Sequence, residues 1–144
     1  MSRISDPQDS QSESLSQPNA GAGKVILLAE DDPFISRMYQ TKLESAGFNV
    51  HLFNNGRDVY ENIKTVNPDL VLLDINMPEL TGFEVVKALQ ADGADDLISK
   101  IIILTNSANP KDRQLASDLN IDYVVKAEMT PHDVLDMINK KLAI

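Results

Sequence analysis

The chain has no cysteine and no tryptophan, and only two histidines stand among its 144 residues. Without cysteine there is no disulfide, no thiolate chemistry and no sulfur-ligated metal. His51 lies on the polar side of a strand signal and His132 in the first turn of the last helix signal, and both read as surface residues. Basic residues are also scarce: 13 Lys and Arg face 22 Asp and Glu, for a net charge of -9. Nonspecific affinity for a phosphate backbone rests on clustered Lys and Arg, and no such cluster is present, so a nucleic-acid partner is not expected. No apolar run approaches the roughly 20 residues that span a bilayer as a helix. The first residues hold only Arg3 as a basic group, with no apolar run behind it, which argues against a secretory leader. The expected compartment is therefore the cytoplasm, without membrane insertion. The length suits one domain with a proper core and leaves no room for a second, output domain.

What is present falls into two parts. Residues 1–23 are rich in Ser, Gln, Asp, Pro and Gly, with Ile4 and Leu15 as their large aliphatic residues. Ordering such a segment costs backbone entropy and buries little, so it is expected to be a disordered tail. From residue 24 to 144 apolar runs alternate with amphipathic stretches. Strands are predicted at Lys24–Ala29, Phe48–Phe53, 69–73, Lys100–Leu104 and Asp122–Val125. Helix signals follow each: one opened by Asp31 or Asp32 with Pro33 in its first turn and stopped at Gly47, one with the stripe Val59, Ile63, Val66, one beginning near Gly82, one over Pro110–Leu119, and one starting at Pro131. Ala91–Leu97 reads as a polar loop. In the second strand Phe48, Val50 and Leu52 form the apolar side. Five strands alternating with five helices call for an α/β fold with a doubly wound parallel sheet.

The stretch that organises the chain runs from Asp69 to Gly82. Leu70 to Leu73 ends abruptly on Asp74, and Pro78 and Gly82 then break the chain, which puts Asp74 at the C-terminal tip of a buried strand. Such tips carry the chemistry of parallel α/β sheets. The first strand stops in the same way on Glu30-Asp31-Asp32. If the two strands are neighbours, three or four carboxylates converge, and their repulsion is relieved by a cation; oxygen ligands without Cys or His favour Mg²⁺ over zinc. Thr105 ends the fourth strand and Lys126 the fifth. A carboxylate can attack phosphorus and form an acyl phosphate when a cation offsets the charge on the oxygens. Asp74 is the candidate nucleophile. Asp31 and Asp74 are candidate metal ligands, with Glu30 or Asp32 through water and the Asn76 carbonyl from the following loop. Lys126 and Thr105 would meet phosphoryl oxygens.

Glu30-Asp31-Asp32-Pro33, Leu73 to Gly82, Leu104-Thr105 and Asp122 to Lys126 together resemble the receiver domain of two-component response regulators, of the stand-alone, chemotaxis-regulator-like kind. The resemblance covers residues 24–144. It implies a flavodoxin-like sheet of order 2-1-3-4-5, Asp74 as phosphoacceptor, Glu30 and Asp31 as the pair that organises Mg²⁺, Lys126 as phosphate contact, Thr105 as switch hydroxyl and Tyr123 as switch aromatic. Asn76, Asn106 and Ser107 match positions that tune phosphoryl lifetime. Two departures stand out. Ala127 follows Lys126 where the family usually has Pro, which leaves that bond's geometry open, and Asn106 takes a position usually held by a small residue.

The resulting expectation is a signalling protein rather than an enzyme. It would take a phosphoryl group from a phosphohistidine of a sensor histidine kinase or histidine phosphotransfer protein and act on a downstream protein target through its surface. Rival readings are a phosphorelay intermediate, an unphosphorylated binding module, and an aspartyl-phosphate hydrolase. The hydrolase normally needs an acidic residue two places after the nucleophile, where Asn76 stands.

Overall fold

Strand β3 (Leu70–Leu73) has no solvent exposure at any of its four residues, and the fold is layered around it. The computed structural model describes residues 22–144. Apart from Ala22 and Gly23, the tail expected over 1–23 lies outside the described residues. The elements follow as β1 (Val25–Ala29), α1 (Pro33–Ser45), β2 (Asn49–Phe53), α2 (Gly56–Val66), β3, α3 (Gly82–Ala91), the single turn α4 (Asp95–Ile98), β4 (Ile101–Thr105), α5 (Pro110–Asp118), β5 (Asp122–Val125), a 3₁₀ turn (Lys126–Glu128) and α6 (Pro131–Leu142). All strand pairs are parallel, in the order β2-β1-β3-β4-β5. This is the doubly wound order that the resemblance implied.

Alternation along the central strands builds two cores. Ile26 and Leu28 of β1, Leu70 and Leu72 of β3, and Ile102 and Leu104 of β4 face α1 and α6, where Tyr39, Leu43, Val134 and Ile138 meet them. Leu27, Ala29, Val71, Leu73, Ile101 and Ile103 face the opposite way, against Val59 and Ile63 of α2, Val85, Val86 and Leu89 of α3 and Ala116 of α5. Covering both faces explains why these strands are continuously apolar. At roughly 1.5 to 3 kcal/mol for each fully buried Leu, Ile or Val, this double burial holds the sheet rigid. A rigid sheet fixes where its strand ends lie.

The helices start where the sequence supplies caps. The Asp32 carboxylate accepts the N–H groups of Phe34 and Ile35 at 2.9 and 3.2 Å, and Pro33 fills the position that needs no donor. Thr81 and Glu84 form a reciprocal capping box on α3, and Thr130 and Asp133 form another on α6. Gly47, at a φ of 96°, follows the end of α1.

Two details depart from the sequence reading. The stretch Ala91–Leu97 is not wholly a loop: α3 runs to Ala91, and Asp95–Ile98 makes one helical turn because Ile98 buries its side chain against the core. In β2 the apolar side is not continued by Leu52, which is 38% exposed, while His51 is half-buried. β2 is an edge strand, and beside Leu52 a groove lined by Ser36 and Arg37 of α1 leaves its side chain uncovered. Among the described residues every peptide bond is trans, that between Lys126 and Ala127 included. No described helix is long and apolar enough to cross a membrane.

Candidate functional site

Register alone brings the carboxylates together. Ala29 pairs with Leu73 across β1 and β3, so the next residues, Glu30 and Asp74, leave the sheet at the same level. The Asp74 N–H donates to the Ala29 carbonyl at 3.1 Å, and the Glu30 N–H to the Phe53 carbonyl at 3.0 Å, so both backbones are tied as they leave their strands. Glu30, Asp31 and Asp74 each bring a carboxylate oxygen within 4.8 Å of the others. Glu30 and Asp74 are 4% and 6% exposed, whereas Asp31 is exposed.

Two buried carboxylates need compensation, since burying a charge costs several kcal/mol. Lys126 supplies it from the end of β5. Its Nζ donates to Glu30 Oε1 and, at 3.0 Å, to Asp74 Oδ2, and its side chain is as buried as theirs. The second oxygen of each acid is held as well: the Asp32 N–H donates to Glu30 Oε2 at 3.0 Å, and the Ile75 N–H to Asp74 Oδ1 at 2.7 Å. Burial pushes the Glu30 carboxyl above its usual 4.5, against the lowering effect of Lys126 and the Asp32 N–H. Burial would lower the Lys126 ammonium, but Glu30 and Asp74 outweigh it and hold the ammonium above its usual 10.5.

The cleft above Asp74 has a volume of about 450 Å³ and is walled by Glu30, Asp31, Asp32, Pro33, Ile35, Asn76 and Asn106. Its acidic ligands are hard oxygens, those of Asp31 and Asp32 exposed, and the cleft has room for the waters that Mg²⁺ retains on binding to carboxylates. The donor set therefore fits Mg²⁺ and offers no ligand that would favour a softer metal.

Thr105 is fully buried at the end of β4, two places beyond Ile103, which pairs with Leu73. Its Oγ1 accepts the Ser107 N–H at 3.3 Å. Tyr123 of β5 donates its hydroxyl to the Ser107 carbonyl at 2.6 Å, and burial raises its pKa. Ser107 itself is not on the cleft wall. Its hydroxyl donates to Asp112 Oδ2 and accepts the Asn109 N–H, both at 3.3 Å, at the start of α5. The structure thus brings Glu30, Asp31, Asp74, Asn76, Asn106 and Lys126 to one cleft, links Thr105 to Tyr123 through the Ser107 backbone, and spends the Ser107 hydroxyl at the start of α5.

Several neighbours escaped the sequence reading. The Arg113 guanidinium lies 5.3 Å from the Tyr123 ring centroid and reaches Glu128 at 3.4 Å, in the turn that follows Lys126. No spacing signals this contact, because α5, β5 and the turn meet only in three dimensions. Tyr39 was legible only as one residue of a helical stripe. It is buried close enough to feel the charges of Lys126 and Glu30.

Comparison with known proteins points one way. The sequence matches the family profile described as response regulator receiver domain over residues 26–139. A probable transcriptional regulator, ycf29 of Pyropia yezoensis, is 32% identical over 120 residues, 82% of this chain and 53% of that protein. The chain spans about half the length of the curated relatives it matches. A CheY-like receiver domain protein from Methanospirillum hungatei superposes with a TM-score of 0.74 at 26% identity, covering 83% of this chain and 94% of that one. The BeF3-activated receiver domain of Klebsiella pneumoniae RstA gives 0.74 at 25% identity, covering 84% and 100%.

Proposed function

The chain belongs to the response regulator receiver domain family, and from that premise we propose that it accepts a phosphoryl group on Asp74 from the phosphohistidine of a sensor kinase or histidine phosphotransfer protein. Receiver domains are signal-transduction modules that catalyse their own phosphoryl transfer and are not enzymes in the ordinary sense. The observation that carries the proposal is the joining of three carboxylates, Glu30, Asp31 and Asp74, with one buried lysine at the C-terminal edge of a parallel sheet. A simple strand-end aspartate would need none of these companions.

In the proposed reaction an Asp74 carboxylate oxygen forms a bond to phosphorus as the bond from phosphorus to the histidine nitrogen breaks, and the electron pair stays on the imidazole. The phosphoryl group then leaves by hydrolysis of the acyl phosphate. Asp31 and Asp74, with Glu30 and the Asn76 carbonyl, would hold Mg²⁺, which when bound offsets charge on the phosphoryl oxygens. Lys126 can turn from its present partners to a phosphoryl oxygen without leaving the cleft, since it already bonds Asp74. Thr105 would give its hydroxyl to another oxygen, and because the Ser107 N–H holds that hydroxyl and Tyr123 holds the Ser107 carbonyl, moving Thr105 would disturb Tyr123. Asn76, on the cleft wall, would influence how long the acyl phosphate lasts.

That coupling supplies an output. Tyr123 belongs to the surface made by α5, β5 and α6, and a target protein would read a shift in the population of its positions. We assign residues 24–144 to the receiver domain and residues 1–23 to a tail, and place the protein in the cytoplasm, where its phosphodonors act.

Intact mass after incubation with Mg²⁺ and acetyl phosphate tests the proposal. Wild type should gain one phosphoryl group, stable in acid and lost in base or hydroxylamine, and Asp74→Asn should gain none. An equal adduct on both proteins would overturn it.

A further inference from the structure

The edge strand β2 borders an open groove of about 520 Å³ between α1, β2 and the start of α2. Pro33, Phe53 and the 38% exposed Leu52 give it apolar lining, and Asp31, Asp58 and Arg37 line it with charge. Glu30 lines it too but is bonded to Lys126, so two carboxylates face one guanidinium and the open charge is acidic. The groove shares Glu30, Asp31 and Pro33 with the cleft above Asp74, so whatever fills one lies beside the other.

An occupant that suits this groove brings an apolar side chain for Leu52 and a base for Asp31. Residues 1–23 hold two large aliphatic residues, Ile4 and Leu15, and one base, Arg3, which stands directly beside Ile4. Leu15 has Glu13 as its nearest charged neighbour, and the groove's carboxylates repel it. Reach also fits. Leu52 pairs with Leu28, five residues beyond Gly23 and about 17 Å along the strand. Ile4 stands 19 residues before Gly23, and in a chain rich in Ser, Gly and Gln that gives a root-mean-square reach of about 22 to 26 Å. A linker that spans its sites in this way gives an effective concentration of millimolar order, so a contact of only about millimolar strength is roughly half formed.

We propose that Arg3-Ile4 of the same chain docks in the groove beside β2, Ile4 on Leu52 and the Arg3 guanidinium on Asp31 and Asp58, and thereby competes with Mg²⁺ for Asp31. The docking stands on the groove and the tail alone; the competition rests on the reading of Asp31 as a metal ligand given above. Arg3 suits the place because its planar fork bonds carboxylates with two parallel N–H groups. The two events are linked, so docking weakens metal binding by the same factor by which the metal weakens docking. With the tail about half docked, the apparent Mg²⁺ affinity is lowered about twofold.

The chain has no cysteine, so Ser2→Cys carries a single nitroxide label in the full chain, and the paramagnetic broadening of amide NMR signals reads where it dwells. Leu52, Asn54 and Asp58 should broaden more than Asp122–Val125 on the opposite edge strand. This excess should vanish with Ile4→Ser, shrink with Arg3→Gln, persist with Leu15→Ser and fall on addition of Mg²⁺. Calorimetric titration should find Mg²⁺ bound about twofold more tightly by Arg3→Gln than by wild type. Equal broadening of the two edges, or an excess that survives Ile4→Ser, overturns the docking. An excess that falls on dilution places the contact between two copies and overturns it as a contact within one chain. Equal Mg²⁺ affinity in wild type and Arg3→Gln, beside an excess that persists, overturns the competition alone. A wild type that binds no Mg²⁺ overturns the metal-site reading itself, which is a separate failure.

Discussion

Asp31 carries the least compensated charge of the acidic cluster. Lys126 bonds both Glu30 and Asp74, while Asp31 stands exposed with a carboxylate oxygen within 4.8 Å of theirs. Asp31→Asn should therefore stabilise the metal-free fold by about 1 kcal/mol, the size of one unit-charge contact at high dielectric, and weaken Mg²⁺ binding at least tenfold. Urea unfolding with a chelator and calorimetric titration with Mg²⁺ check the two halves; a destabilised variant with full affinity would show that Asp31 is no ligand. Glu30 makes a separate prediction in pH. Burial raises its carboxyl above 4.5, so its contribution to folding is full below 4.5 and is lost as pH rises through its folded value. A metal asks for the charged form. Mg²⁺ affinity should fall as pH is lowered through the raised Glu30 value, which metal titrations at a series of pH values from about 7.5 downward would read. Equal affinities would remove Glu30 from the metal site.

At the scale of elements, the loop that follows β3 is clamped on α2. The Gly56 N–H donates to the Pro78 carbonyl at 3.1 Å, Arg57 lies 3.8 Å from Glu79, and Glu79 adopts a φ of 73°. A Cβ placed on Gly56 would fall 1.9 Å from the Leu80 carbonyl oxygen, so no side chain fits there without moving backbone. That loop begins at Asp74 and carries Asn76. Gly56→Ala should cost about 1 to 3 kcal/mol by overpacking and weaken Mg²⁺ binding by displacing the loop. Thermal unfolding and metal titration read the two effects; wild-type values for both would mean that the loop is seated elsewhere. At its far end the same loop leans on Gly82, where an added Cβ would come within 2.3 Å of the Asp74 carbonyl oxygen. The two glycines let this loop pack closely on α2 and against the backbone of Asp74 itself.

For the whole molecule, what was legible in the sequence follows from double burial. Strands covered on both faces read as apolar runs, and a run that ends on Asp74, on Glu30-Asp31 or on Thr105 announces both its strand and its edge of the sheet. The start of α1 was legible because Asp32 and Pro33 act locally; the later starts were read from Gly82 and Pro131, and the capping boxes of Thr81 and Thr130 were missed although they too are local. What escaped depends on contacts between distant segments. The turn Asp95–Ile98 exists because Ile98 finds a place in the core, which polar Asp95 and Asp96 conceal. Leu52 is exposed because its strand is at the edge of the sheet and lines a groove with Ser36 and Arg37, a fact of packing rather than pattern. The same limit applies at the site: spacing brings Ser107 close to Thr105, but only the fold shows its hydroxyl bound at the start of α5 and Arg113 lying over Tyr123.

Asp74 is proposed as the one phosphoacceptor that the sheet presents at its edge, and the residue that carries the group can be found chemically. Borohydride reduces an acyl phosphate to an alcohol and so converts a phosphorylated aspartate to homoserine, a change that peptide mass mapping locates. After phosphorylation with Mg²⁺ and acetyl phosphate, homoserine is expected at position 74 and at no other aspartate, with the signal lost in the presence of a chelator. Homoserine at Asp31 or Asp32 instead, or a phosphorylated protein that yields none, would contradict it.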